Sequence, residues 1–399
     1  MTHSIAAVKF PRLRTVFATL ALGSLIVLGG CSKDKVVEPP AELVDFNATR
    51  KVDRVWSTGL GGDSKHLRLA LRPVVADGVV YAASNKGEVY AFAANNGRRA
   101  WSVKSRLQLS AGPEVGNGVV VVGSSDGDVL ALDAATGAER WRQSIRAEIL
   151  ARPLIVNDVV VVRTVDGHLE ALSLTDGAVR WSVDESVPRL TLRGTAPPVL
   201  AGDRIIAGFD NGRALAVDPR TGEVLWDTVV NAPSGRTELE RLTDIDSPAQ
   251  VVGNDVYVVT FQGRIAMLAL DSGQIWWARD ASSHRGFAVD GQTLYLSSAD
   301  GSIVAMRRTD GAPQWEHDVL ARRGLTAPAV DGDAIVVADY QGYMHWFDKA
   351  TGELVARHKT DGDRVSNAPV SADGMIFVQT DSGQLVAFRS REQQVADAQ

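Results

Sequence analysis

The chain has 399 residues, 45% of them hydrophobic, with 37 glycines and a formal net charge of −6, a composition that excludes a largely disordered polyelectrolyte and fits either a few ordinary domains or one long repeat fold. Three of the positive charges and none of the acids lie in residues 1–30, so the rest of the chain carries −6 − 3 = −9. With basic residues paired only briefly, as in Arg98-Arg99 and Arg322-Arg323, an acidic body of this kind argues against nucleic acid as a partner.

Lys9, Arg12 and Arg14 precede an apolar run from Val16 to Leu28, followed by Gly29, Gly30 and Cys31. This is the layout of a secretory signal peptide. The run is too short for the roughly 20 residues that a membrane-spanning helix needs, and residues 1–30 are expected to be removed. Leu28-Gly29-Gly30-Cys31 resembles a lipobox, which implies that Cys31 becomes the acylated N-terminus. A lone cysteine more often packs as a small hydrophobe, but Cys31 stands at the end of the apolar run and is the only cysteine in the chain. No disulfide within the chain is therefore possible. Several acyl chains on one cysteine give durable anchoring. Ser32 follows it, where bacterial lipoproteins retained in the inner membrane usually carry Asp, so the resemblance implies an outer-membrane anchor facing the periplasm. Residues 31–50, with Pro39-Pro40 and mixed charges, read as the lipidated cysteine and a flexible tether.

From Pro73 onward one unit recurs. Its first copy carries Pro73, Gly87, Ala91, Asn96-Gly97 and Trp101; the next two carry Pro113, Gly127, Ala131, Thr136-Gly137 and Trp141, then Pro153, Gly167, Ala171, Asp176-Gly177 and Trp181. Pro198 to Trp226, Pro248 to Trp277 and Phe287 to Trp315 continue the series. A seventh copy has Ala356 in place of the tryptophan, and an eighth stops after Ala387. Within each copy β-branched runs alternate with Asp-Gly, Asn-Gly and Thr-Gly turns, the mark of successive antiparallel hairpins. A single four-stranded sheet cannot bury both its faces, and the radial solution is a propeller.

The expectation is an all-β, eight-bladed β-propeller of four-stranded antiparallel blades spanning residues 51–390, with 391–399 a disordered tail. The eighth blade lacks a last strand. Val52 to Ser57, with Trp56 at the tryptophan position, is the expected donor, closing the ring with the N-terminal strand and removing open edges. The recurring tryptophans read as wedges between blades.

The Ala-x-Asp-x-x-Thr-Gly-x-x-x-Trp pattern, as in Ala131 to Trp141 and Ala216 to Trp226, resembles the tryptophan-docking motif of quinoprotein-type propellers. Two groups share it: dehydrogenases that hold pyrroloquinoline quinone with calcium, and lipoproteins of the BamB family from the outer-membrane β-barrel assembly (BAM) machinery. The enzymes are typically longer, and many carry adjacent cysteines beneath the cofactor. Here the seven histidines show no metal-ligand spacing, and no Gly-x-Ser-x-Gly or phosphate loop is present. No enzyme activity, cofactor or metal is expected, a quinoprotein dehydrogenase being the alternative.

Two segments break the repeat. From tryptophan to the next proline takes 12 residues after Trp101 and after Trp141, but 17 after Trp181 and 22 after Trp226. Both insertions join the last strand of one blade to the first of the next, so they should emerge side by side on one face, with Asp126 expected on the other. Loops that the core does not need are where binding residues gather. These segments carry the strongest BamB resemblance, to a Leu-Ser-Leu-Arg-Gly-like and an Arg-Leu-x-Asp-x-Asp-like stretch. It implies that Leu190, Leu192, Arg193, Asp244 and Asp246 bind the periplasmic domains of the barrel-assembly protein BamA, with Thr191 standing where serine is common. It also offers unfolded outer-membrane proteins as clients.

Overall fold

The computed structural model describes residues 38–65 and 67–393. Everything below concerns the compact unit that begins at Pro40. Among the described residues there is no helix, and the strands form eight antiparallel sheets. The blades run from Val74–Ala76 to Arg99–Lys104, Leu109–Gly116 to Glu139–Ser144, Leu154–Val156 to Val179–Asp184, Val199–Ala201 to Val224–Val229, Gln250–Val252 to Ile275–Ala281, Phe287–Asp290 to Pro313–His317, and Ala329–Asp331 to Leu354–Lys359. Val370–Ala372, Met375–Gln379 and Gln384–Glu392 begin the eighth, and Arg50–Gly59 completes it. The second blade gains a fifth strand, Ala70–Leu71, parallel to its first.

Closure by the N-terminal strand follows the expected register, with Trp56 opposite Ala387. Each last-strand tryptophan sits in the middle of its strand and is clamped by the next blade. Trp56, Trp101, Trp141 and Trp181 donate their Nε1–H to the carbonyls of Ala94, Ala134, Leu174 and Pro219 at 2.7, 2.9, 2.8 and 3.0 Å. Trp226, Trp277 and Trp315 do the same to Leu270, Arg308 and Lys349. The ring lies on the glycine of the neighbour's last turn: a Cβ on Gly137 would come within 2.8 Å of Trp101. The motif pairs Gly with Trp because only glycine accepts both that contact and its φ of +76°.

Between blades the packing is continuous, as where Val161, Leu169 and Trp181 of the third meet Ile205, Phe209 and Leu215 of the fourth. All these residues are buried. At about 1.5–3 kcal/mol per large apolar side chain, such seams hold the ring without disulfides.

Two boundaries differ from expectation. The tether does not remain free to residue 50: Ala41 donates its N–H to the Ala321 carbonyl, Arg323 and Arg357 donate to the carbonyls of Ala41 and Val44, and Thr49 donates to Val355. Arg357 also lies over the Phe46 ring. The composition of this stretch is polar, but its backbone finds donors and acceptors along the sixth and seventh blades. The last strand runs to Glu392, past residue 390, because Arg50 pairs with it there.

Candidate functional site

Successive antiparallel strands reverse direction. The connections between blades therefore share one face with the turns between second and third strands, and the remaining turns occupy the other. The two insertions, residues 185–198 and 230–249, thus emerge together as expected. Asp126 does not lie opposite them. It sits in a turn between second and third strands, flanked by Ser125, whose N–H reaches the Gln108 carbonyl, and Gly127, which packs on Ile145 and Ala147 of the blade connection. Asp126 belongs to the insertion face.

The insertions touch. Leu192 donates its backbone N–H to Asp244 Oδ2. Gly194 sits so close to Asp246 that a Cβ there would lie 2.9 Å from its carboxyl carbon. The second insertion is tied down by Ile245, whose N–H reaches the Phe209 carbonyl at 3.2 Å, and by the Asp244 carbonyl, which accepts from Phe261 at 2.9 Å. The five residues singled out from the sequence are therefore brought together, but in two layers.

The upper layer is solvent-facing. Leu190 is 39% exposed, Leu239 is 66% exposed, and Arg193 is exposed while Leu192 is half-buried. Arg193 is not free: its guanidinium grips Glu148 with two hydrogen bonds, at 2.7 and 3.2 Å, and donates through Nε to the Leu67 carbonyl at 2.9 Å. It staples the first insertion to two other loops of this face.

The lower layer is buried. Asp244 is fully shielded, and beneath it Arg163, also fully buried, pairs with Asp210 at 2.8 Å and stacks over Phe209. Asp244 and Asp246 lie within electrostatic reach of the same guanidinium, Asp246 of Arg68 as well. Burial, opposed by the Leu192 N–H and reinforced by the charge of Asp210, pushes the Asp244 carboxyl up to about 6. Burial, with Asp244 and Asp210 beside it, drives Asp246 well above the usual carboxylate range. Asp244 Oδ1, Asp246 Oδ1, and Arg163 Nε and Nη1 find no hydrogen-bond partner within the protein. Such a constellation is costly to keep and holds the insertions in one arrangement through Asp244. Arg163 and Asp210 escaped notice in the sequence because they occupy ordinary repeat positions in different blades.

Exposed large apolar side chains concentrate on the same side of the ring. Of eleven among the described residues, eight fall between Val179 and Trp276, which spans the third to fifth blades. Trp276 is 60% exposed beside the docked Trp277. The doublet carried a signal that period-2 alternation could have exposed: if Trp277 points inward, its neighbour points out.

Cys31 lies outside the described residues. Among the described residues no group of three His, Cys, Asp or Glu is placed to hold a metal ion, and no helix is long and apolar enough to cross a membrane.

A family model described as outer membrane protein assembly factor BamB matches residues 35–109, 85–317 and 299–395. The chain is 45% identical over 374 residues to the assembly factor BamB of Pseudomonas aeruginosa, covering 94% of this chain and 98% of the relative. Against that of Escherichia coli K12 it is 35% identical over 375 residues, covering 90% and 95%. Among solved structures, BamB from Moraxella catarrhalis aligns with a TM-score of 0.78 at 28% identity, over 85% of this chain and 100% of that one. Quinohemoprotein alcohol dehydrogenase from Comamonas testosteroni aligns with a TM-score of 0.67 at 16% identity, over 86% and 78% of the two chains, a likeness of fold alone.

Proposed function

From membership of the BamB family of outer membrane protein assembly factors, to which this chain belongs, we propose that it acts as a non-catalytic scaffold of the BAM complex. It binds BamA periplasmic domains through the paired insertions and is held at the periplasmic face of the outer membrane by acylated Cys31. The observation that carries this reading is the contact of Leu192 with Asp244. It joins the two insertions after the third and fourth blades into one patch, with Leu190 and Leu239 offered to solvent.

An interface core needs apolar anchors surrounded by groups that exclude water, and Leu190, Leu192 and Leu239 beside the Arg193–Glu148 clamp have that composition. The buried acids beneath serve as positioning groups. A preformed loop pair loses little entropy when a partner docks. The exposed apolar residues of the outer strands, Val224, Leu225 and Trp276, stand at the strand ends nearer the other face and offer a separate surface to a second partner such as an unfolded barrel protein.

The test is recovery from detergent-solubilised outer membranes. The tagged full chain should co-purify with BamA and fractionate with the outer membrane, and Cys31→Ala should release it in soluble form with its β-structure intact. Recovery free of BamA would end the scaffold reading. For the non-catalytic part, protein supplied with calcium and pyrroloquinoline quinone should show no dye-linked oxidation of alcohols or glucose.

A further inference from the structure

At the axis of the ring the innermost strands and the segments leading into them enclose a cavity of about 860 Å³. Its walls are strongly cationic for a chain of net negative charge: Arg68, Arg72, Arg152 and Arg285 all line it. The repeat explains why this is unusual. The residue just before the first-strand proline, or before Phe287 in its place, lines the cavity in six blades, and across the ring it is Gly112, Pro197, Ser247, Gly286, Ala327 or Ala368 in six of the eight. In the first and third blades it is Arg72 and Arg152. Packing demands no guanidinium there, because small residues serve elsewhere.

Arg72 and Arg285 are held in place by backbone carbonyls. Arg72 donates to the carbonyls of Ala368 and Pro369 at 2.9 and 2.8 Å, and Arg285 donates to that of Ser366 at 3.1 Å. Both therefore grip the same short segment, with Asn367 between them bonded to the carbonyls of Leu69 and Leu71. Arg152 pairs with Glu114 at 2.8 Å, and this one carboxylate faces both Arg152 and Arg72. Burial and then the neighbouring Arg152 press Arg72 down to about 10; burial and then Arg68 and Arg364 do the same to Arg285. The acids facing this set are Glu114, Asp381, Asp246 and Asp290, the last paired with Lys349. Arg285 Nε, His284 Nδ1 and Thr195 Oγ1 line the cavity as buried polar atoms with no partner within the protein. Buried polar atoms without partners are rare in folded proteins, and Arg285 Nε, an obligate donor, with the Thr195 hydroxyl beside it in the lining, calls for an acceptor in this cationic cavity.

We propose that the axial cavity binds a small multivalent anion of the phosphate or polycarboxylate class, seated between Arg72, Arg152 and Arg285. Guanidinium forks match both oxyanions, and bidentate charge-assisted hydrogen bonds are the strongest available to them. The cavity borders the insertion site, since Arg193, Gly194, Thr195 and Asp246 line it, but the leucines proposed as partner anchors do not.

The experiment is calorimetric titration of the full mature chain with inorganic pyrophosphate and with citrate, at ionic strength held constant with sodium chloride. One-site saturable binding of either probe is expected, and the preferred probe tells phosphate from carboxylate. Arg72→Gln and Arg285→Gln should each weaken it about tenfold or more, the effect of losing one charge-assisted bond. Arg220→Gln, in a turn on the other face, should not change it. If one variant fails to fold, Arg152→Gln replaces it, since its partner Glu114 then remains for Arg72. Absence of saturable binding by both probes, or folded arginine variants that bind as wild type, would overturn the proposal.

Discussion

Trp346 and Ala356 stand opposite each other in the seventh blade with the large and small partners exchanged: in every other blade the tryptophan is on the last strand, facing alanine on the third, as with Trp101 and Ala91, in all but the fifth, where Met267 takes that place. The exchange follows from how the ring closes. A last-strand tryptophan docks on the final turn of the next blade, but the eighth blade has no such turn, because its last strand comes from Arg50–Gly59. Trp346 turns inward instead, fully buried, edge-on to Phe388 at 6.2 Å, and donates its Nε1–H at 2.7 Å to Asp331. Asp331 also accepts from Ser390, which Arg50 of the closing strand holds. Trp346→Ala should therefore cost about 3–5 kcal/mol in denaturant unfolding. Ala356→Trp should not rescue it, since no glycine platform awaits the ring. Rescue would disprove this origin of the exchange.

Closure makes a graded prediction for the N-terminal region. Removing residues 32–37 should lower the melting temperature least. Extending the deletion to residue 49 removes the backbone hydrogen bonds of Ala41, Val44 and Thr49 and the Arg357–Phe46 stack, and should lower it by a few degrees. Extending it to Gly59 strips Trp56 from its seat between Phe92 and Phe377 and bares the edge of the last sheet, so it should unfold or aggregate the protein. Thermal melts of the three truncations decide the order, and equal melting of the last two would refute closure by this strand.

The fold was legible because propeller packing writes itself into local sequence: Thr136-Gly137 and Trp141 recur at fixed spacing since each ring meets the next blade's turn. What crosses between blades was not. Arg193 and Glu148 belong to connections of different blades and share no motif, yet they form a clamp. Arg72 and Arg285 lie far apart along the chain and meet only at the axis. Asp244 reads as an acid in a charged loop, and only the buried Arg163–Asp210 pair beneath it shows that it faces inward. The misplacement of Asp126 had a simpler cause, since turns between second and third strands share a face with blade connections.

Asp244 gives a pH dependence with a definite sign. Its carboxyl ordinarily titrates at 3.8 and is raised to about 6 in the fold. Below the lower value both states are protonated and the group contributes nothing. Between the two values the folded state holds the proton and the unfolded state does not, so stability falls as pH rises, and above about 6 the full penalty remains. Asp246 acts in the same direction. Asp244→Asn keeps an oxygen for the Leu192 N–H and removes the charge. Its melting temperature should exceed wild type by a few degrees at pH 7.5 and converge with it near pH 4. A difference independent of pH would show that Asp244 titrates normally.

The insertion patch makes the prediction on which function turns. Leu190→Ala with Leu192→Ala leaves every repeat-defining Gly and Trp in place, so melts should match wild type, while affinity for BamA periplasmic domains should fall by about 2 kcal/mol or more per anchor if these leucines sit at the centre of the contact. Arg193→Glu acts differently from a simple surface charge swap. It sets two carboxylates against each other where Arg193 now grips Glu148, and frees the first insertion from Leu67. Its loss of affinity should be recovered in part by Glu148→Arg in the same chain, which rebuilds the clamp with reversed polarity. Asp244→Lys is unsuitable as a charge probe because it would bury an ammonium beside Arg163, and Asp244→Asn replaces it. The control belongs on the true opposite face: Asp158, exposed in the turn between the first two strands of the third blade, should accept lysine without effect on binding. Calorimetry against BamA periplasmic domains reads all of these. Wild-type affinity in the leucine variant together with loss in Asp158→Lys would move the interface to the other face of the ring.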